Sequence, residues 1–414
     1  MVQGLFGISV LTLLAFAMSE NKKLVNWRSI SIAIVLQFVL AYLLLKFSLF
    51  KELFLLLNSM VLSLQEASKA GTSMVFGYLG GGTLPFVETF PGASFLFAFQ
   101  ALPLILLMSA LSALLYYWKI LPVVVRWFSV LLQKSIGIGG ALGFGVAMNI
   151  FVGMIEAPVT IRPYLNNMTR SEMFAVMTCG MATIAGTVMV LYAAILGPVF
   201  PDALGHLLTA SIISAPAALA LSLLMIPEDK GGQTAGESLP PSSATGTMDA
   251  IHKGTSDGVQ LLIQVMAMMV VLIALVELVN QILSLLPTFN GSAFTLQRVL
   301  GWIMAPIVWL IGVPWSEAHI AGSLMGTKTI LNEFIAYLDL VKIPGSELSD
   351  KSRLIMIYAM CGFANLGSLG IMIGGIGGIV PERRREIMEL GPRSIVAGTL
   401  ATCMTGAVVG IVSG

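Results

Sequence analysis

The chain has 414 residues, 57% of them hydrophobic and 10% charged, with a mean hydropathy of +0.92. A soluble globular domain carries roughly 25% charged residues, so that class is excluded. The formal net charge of +1 leaves no bulk field for nucleic acid, and several apolar runs reach the roughly 20 residues that cross a bilayer.

In chain order, residues 1–94 read as an N-terminal scaffold. The opening run is followed, not preceded, by its positive charges in "ENKK", so it reads as a first membrane helix over 3–19 and not as a signal peptide. A second span is expected over 29–48, and the charged ends of 51–70 predict an interfacial helix. Residues 95–226 form a first repeat: a span over 95–117, an amphipathic segment from Lys119 to Lys134, a re-entrant hairpin over 136–168, and spans over 171–196 and 203–226. The Gly-, Ser-, Thr- and Pro-rich stretch 227–258 reads as a flexible cytoplasmic loop. Residues 259–414 form a second repeat, with spans over 259–286, 352–379 and 393–412 and a re-entrant hairpin over 300–343. The fold class is an all-α polytopic membrane protein of about eight spans, two re-entrant hairpins and interfacial helices. The Lys/Arg-rich stretches 20–28, 119–134, 162–170 and 381–386 all fall on the cytoplasmic side in this arrangement, as the positive-inside rule requires. Both termini then lie outside.

The halves resemble each other. "EMFAVMTCGMATIAG" follows Glu156, and "RLIMIYAMCGFANLGS" follows Glu333. Aligning Cys179-Gly180 with Cys361-Gly362 sets Thr183 against Asn365 and Gly186 against Ser368. Each half is a hairpin carrying a glutamate, then a helix interrupted by small and polar residues. Opposite orientation of the halves makes this an inverted repeat, a recurring plan of secondary transporters.

A charged side chain at bilayer depth costs about 2.5–3.5 kcal/mol or more, so such residues face a cavity or a partner. Glu156, Glu333, Asn149 and Asn365 are of this kind. The plainer alternative pairs Glu333 with Lys328 and Glu156 with Arg162 at the interface. Glycine-broken helices at 180–187 and 362–370 free backbone groups that bind an ion or polar solute, whereas small residues such as Gly374 and Gly378 also serve close helix packing. Glu277 in the sixth span, and Glu317 and His319 near the outer mouth of the second hairpin, carry weaker signals. Cys179, Cys361 and Cys403 fit no zinc spacing and form no even disulfide set. The glycine clusters match neither a dinucleotide fingerprint nor a P-loop, and no catalytic triad order or HExxH is present. No cofactor is expected, and transport would be gradient-driven. An intramembrane enzyme using Glu156 and Glu333, or a passive channel, are the rival classes.

In "NIFVGMIEAPVTIRPYL", "GVPWSEAHIAG", "TKTILNEFIAYL", "CGFANLGSLGI", "PERRREI" and "GPRSIVAGTLATCMTGAVVG", the chain resembles the bacterial branch of the concentrative nucleoside transporter family over nearly its whole length. The resemblance implies a homotrimeric, multi-pass inner-membrane symporter that imports a nucleoside with Na+ or H+ by an elevator motion. It implies that Glu333, Asn365 and Ser368 bind ribose, that Phe363 and Val188 flank the base, and that Glu156 lies on the base side. It further implies that Asn149 and Thr183 side chains, with the carbonyls of Val152 and Ile184, hold sodium; the family commonly has serine at 183. At the first hairpin tip the family often reads G-Q-T/S-E, whereas this chain reads Gly153-Met154-Ile155-Glu156. Ribose recognition is thus expected intact and base recognition altered, which leaves a nucleobase or a nucleoside with an unusual base as the alternative solute.

Overall fold

The computed structural model describes residues 2–88, 93–200, 202–228, 234, 236, 242–286 and 293–414. Every regular element among them is helical. The N-terminal part holds α1 (Val2–Ala17), α2 (Trp27–Lys46) and α3 (Ser48–Phe76). The first repeat follows: α4 (Phe97–Gln100), α5 (Leu104–Tyr117), α6 (Ile120–Ile136), α7 (Gly140–Phe151), α8 (Glu156–Thr160), α9 (Arg162–Leu165), α10 (Arg170–Ala182), α11 (Gly186–Leu196) and α12 (Ala203–Met225). The second repeat holds α13 (Thr247–Leu283), α14 (Leu296–Leu310), α15 (Trp315–Ile330), α16 (Glu333–Lys342), α17 (Asp350–Met360), α18 (Leu366–Ile379) and α19 (Arg384–Val412).

Among the described residues, six helical stretches are long and apolar enough to cross a membrane. They are Trp27–Lys46, Phe97–Tyr117, Arg170–Leu196, Ala203–Met225, Thr247–Leu283 and Pro381–Val412. The expected first span has 16 residues as α1, and the expected span 352–379 is divided between α17 and α18. Burial separates centre from periphery: 89% of the apolar window in α12 is buried, against 6% in α13. A helix apolar all round and buried is a core element, so α12 forms the centre, with α10, α17 and α19 packed on it.

Several boundaries differ from expectation. Residues 51–70 belong to one continuous helix, α3, which neither proline nor an early glycine interrupts. Of the expected loop 227–258, residues 229–233, 235 and 237–241 lie outside the described residues, while 247–258 are helical. Gly254 and Gly258, which made that stretch look like loop, are where α13 crosses α5. A Cβ at 254 would stand 2.6 Å from the Ser109 carbonyl oxygen, and one at 258 would stand 3.0 Å from Ser109 Cβ. Asp249 anchors the new N-terminus by accepting from the Thr245 N–H at 2.8 Å and from Lys253 at 3.0 Å. Within the expected hairpin 300–343, α14 and α15 meet at a 120° bend, and the reversal that carries Glu333 comes later, between α15 and α16.

The repeat register also shifts. Helices α10 and α17 begin at Arg170 and Asp350, and α11 and α18 at Gly186 and Leu366, so the halves stand 180 residues apart. The break is 183–185 in the first half and 361–365 in the second. Thr183 and Cys361 have the same local role, as the C-caps of α10 and α17, although the longer second break puts them 178 residues apart. Alignment of the two Cys-Gly pairs is corrected: Cys179 lies inside α10, one turn before its end.

Polar contacts gather the basic loops on one face. Arg170 pairs with Glu20 at 3.0 Å and approaches Glu386 and Glu389 at 3.9 Å, and Arg393 also pairs with Glu20. Arg383 donates to the carbonyls of Leu165 and Met168 at 2.7 and 2.6 Å. The α6–α7 turn reaches the same face, where the space beside Gly139 is filled by the Glu172 carboxylate.

Candidate functional site

Glu333 is the first residue of α16, whose N-cap Asn332 accepts from the Ile335 N–H at 2.9 Å. The carboxylate is 2% exposed. Tyr192 of α11 donates its hydroxyl to Glu333 Oε1 at 2.6 Å, and Asn365 donates Nδ2–H to Oε2 at 3.0 Å. Asn365 is itself the N-cap of α18, its Oδ1 accepting from the Ser368 N–H at 2.7 Å. Because the cap engages its oxygen, the Asn365 amide nitrogen is turned to the carboxylate. Glu333 thus lies at the N-termini of two half-helices, where the macrodipole favours negative charge. A carboxylate has about four acceptor sites, so Tyr192 and Asn365 leave it capacity to accept from a solute hydroxyl. Ser368 stands in the first turn of the same α18.

Tyr192 escaped the sequence reading. A lone tyrosine in the apolar run "VMVLYAAIL" was the available signal, since a buried tyrosine hydroxyl usually has a partner. Lys328, offered there as an ion partner of Glu333, makes no hydrogen bond although wholly buried.

The second group lies where α7 ends against the break of the first repeat. Asn149 is 1% exposed, and neither its Oδ1 nor its Nδ2 has a partner. The Thr183 hydroxyl, with one proton to give, lies 2.9 Å from the Cys179 backbone carbonyl and 3.1 Å from the Asn149 backbone carbonyl. Val152 and Ile184, the residues whose carbonyls were expected to serve, are both buried. An orphaned amide oxygen beside a hydroxyl and interrupted backbone is an oxygen-rich donor set that suits a hard cation. Among the described residues no cluster of His, Cys, Asp and Glu suits a transition metal.

The third group is the tip of the first hairpin. After Val152, the five-residue α8 and the Pro163 turn of α9 replace a continuous helix. Glu156 is accessible, and its carboxylate folds over Gly153, leaving no room there for a side chain. Met154 packs on Gly180, where a Cβ would stand 2.9 Å from Met154 Cβ. Ile155 packs on Gly375 of α18, where a Cβ would meet three of its carbons at 2.9–3.1 Å. The tip thereby rests on both broken helices. The breaks are themselves joined: the Phe363 N–H donates to the Thr183 carbonyl at 3.3 Å, and Phe363 is half-buried beside buried Ala364. Val188 stands in the first turn of α11, on the same helix as Tyr192.

Three residues stay apart. Glu277 is exposed on α13. Glu317 accepts from the backbone N–H and hydroxyl of Ser349, at 3.2 and 3.0 Å, and so supports the start of α17. His319 packs against Trp315 with ring centroids 5.8 Å apart.

The family model described as "Na+ dependent nucleoside transporter C-terminus" matches residues 206–410, its N-terminal counterpart matches 6–79, and one described as "Nucleoside recognition" matches 98–199. The nucleoside permease NupC of Helicobacter pylori is 35% identical over 99% of this chain and 97% of its own length. The chain belongs to the sodium-dependent nucleoside transporter family. It is a transporter and not an enzyme, as its family relatives are. An uncharacterized transporter of Bacillus subtilis, YutK, is 37% identical over 99% of this chain and 98% of its own length. The structure of CNTnw in an inward-facing substrate-bound state superposes with a TM-score of 0.90 at 36% identity, covering 100% of this chain and 99% of that one.

Proposed function

We propose that this transporter imports nucleosides across a bacterial inner membrane in symport with sodium. The carrying observation is Glu333, a buried carboxylate held by Tyr192 and Asn365 at the N-termini of two half-helices. A vicinal ribose diol donates two hydrogen bonds to such a carboxylate, and charge-assisted bonds of this kind are the strong ones. Ser368 adds a hydroxyl, while Phe363 and Val188 supply apolar contact for the base, with Glu156 on its polar side. Sodium takes Asn149 Oδ1, the Thr183 hydroxyl and the carbonyls of Val152 and Ile184. One sodium ion crossing about 100 mV supplies about 2.3 kcal/mol. A tenfold gradient adds about 1.4 kcal/mol. Together they support about 500-fold accumulation.

The hairpins and broken helices form the moving unit of an elevator, carried against a scaffold that includes α13, in a homotrimer. Two observations support alternating access. The tip of hairpin one is packed on both broken helices, at Gly180 of α10 and Gly375 of α18. CNTnw superposes on this chain with TM-scores of 0.90 in both an inward-facing and an outward-facing state.

One observation favours a second reading of the solute. Met154 and Ile155 offer the base no hydrogen-bonding group and are packed on Gly180 and Gly375. A nucleoside with an unusual base, or a nucleobase, would suit such a tip. A thermal-shift screen of nucleosides and nucleobases, with and without sodium, tests both readings. Ribonucleosides stabilising the protein only with sodium present is the expected result. Stabilisation by bases alone would favour the second reading.

A further inference from the structure

The two hairpin helices end alike. Helix α7 closes at Phe151 and α15 at Ile330, so Asn149 and Lys328 each stand third from the end. Each belongs with the first residue of a helix break: the backbone carbonyl of Asn149 meets the Thr183 hydroxyl, and Lys328 and Cys361 act on each other electrostatically. Among the described residues of α7 and α15, these two side chains are the ones with buried polar atoms that lack a partner. On one side is a buried neutral amide with no hydrogen-bond partner; on the other is a wholly buried lysine nitrogen with no acceptor. The ionisable groups that act on Lys328 electrostatically are Cys403 on α19, Glu333, which begins the next helix α16, and Cys361 at the second break. Of these only Glu333 is an acid.

We propose that Lys328 is a tethered cation, occupying in the second half of the repeat the place that an exchangeable cation occupies at Asn149 in the first, and that it balances Glu333. A buried charge left alone costs several kcal/mol, and removing one partner of a buried pair is more damaging than removing both. The ammonium and the carboxylate make no hydrogen bond, so Glu333 keeps its acceptor sites for solute while its charge is compensated through space. The buried Lys328–Glu333 pair then adds no net charge to the second hairpin as it moves, and the exchangeable charge resides in the first. The transport arm of this inference rests on the cation-coupled reading above; the stability arm does not.

The test has those two arms. In purified protein, Lys328→Gln and Glu333→Gln should each lower the melting temperature, and the double variant should melt higher than the sum of the two losses predicts. This arm needs neither solute nor gradient, so it stands even if no nucleoside is carried. Additive losses overturn the proposal, and so does a double variant that fails to fold as completely as Lys328→Gln alone. In proteoliposomes, the charge moved per nucleoside, read from reversal potentials, counts sodium and protons alike. It should rise by about one in Lys328→Gln, because a mobile cation replaces the lost one, and should stay at the wild-type value in Lys328→Arg. Transport by Lys328→Gln at the wild-type ratio overturns the proposal.

Discussion

The backbone N–H of Phe363 donates to the carbonyl of Thr183 at 3.3 Å, which makes the two helix breaks a single structural unit. On one side of this bond lies the Asn149–Thr183 donor set, and on the other lies Asn365 with Glu333. A cation bound at the first break, as proposed, acts on the second through this bond, with no long relay between them. On the proposed function, this bond is the route that couples ion and solute binding, and coupling of that kind is reciprocal.

Glu333→Ala should abolish accumulation while leaving expression and assembly intact. Tyr192→Phe, which removes one charge-assisted hydrogen bond worth about 1.5–3 kcal/mol when made, should weaken solute binding about tenfold or more without unfolding the protein. Isothermal titration of both variants checks this. Unchanged affinity in Tyr192→Phe would mean that the hydroxyl does not hold the carboxylate for solute.

Asn149→Leu should remove sodium stimulation of binding and uptake. Because the Asn149 amide has no partner to lose, the variant should melt no lower than wild type in sodium-free buffer. Stabilisation by sodium follows from binding the native state alone, and the variant should lack it. Sodium-free uptake driven by a pH gradient, indifferent to this substitution, would assign the site to protons instead.

Much of this was legible in the sequence, for stated reasons. Carboxylates and amides are so costly in a bilayer that Glu333, Asn365, Asn149 and Glu156 stood out from their surroundings. The charge pattern put the basic loops together, and Glu20, Arg170, Arg383 and Arg393 are indeed joined on one face through ion pairs and carbonyl contacts. Three things were hidden. Gly254 and Gly258 look like loop residues and are helix contact points, because composition cannot tell a flexible glycine from one that another helix presses against. The repeat register was misread by two residues because the second break is two residues longer, which an alignment of like letters cannot see. Tyr192 was hidden because its partner is 141 positions away.

Met154→Gln combined with Ile155→Thr should reorder affinity across a nucleoside panel. Met154 is 8% exposed, so the introduced amide lacks water, and an unpaired buried polar group costs about 1–3 kcal/mol. The free double variant should therefore melt lower than wild type. An ordinary pyrimidine nucleoside should raise its melting temperature by more than it raises that of wild type, with binding tighter by about 1–2 kcal/mol if two hydrogen bonds form. Identical ranking before and after would show that these positions pack the tip against α10 and α18 without facing the base.

Glu20 reports on the face where the basic loops gather. Its hydrogen bond from Arg170 holds its carboxyl below the usual glutamate range, with the charges of Arg170 and Arg393 acting in the same direction and partial burial opposing them. A depressed acid stabilises the fold at pH values above its unfolded value and loses that contribution as pH falls through the folded one. Glu20→Gln should thus melt below wild type at neutral pH, with the gap constant down to the ordinary glutamate range and closing beneath it. Salt should narrow the gap too, since the pair is partly exposed. A gap that widens on acidification would contradict the assignment.

The most direct measurement is accumulation of a labelled ribonucleoside in proteoliposomes under an inward sodium gradient, set beside the same nucleoside lacking its ribose 2′ and 3′ hydroxyls. A site built around a carboxylate for a diol rejects the analogue that lacks it strongly. The account predicts sodium-dependent accumulation of the ribonucleoside and little or none of the dideoxy analogue. Equal accumulation of both, or accumulation of either without any cation gradient, would contradict it.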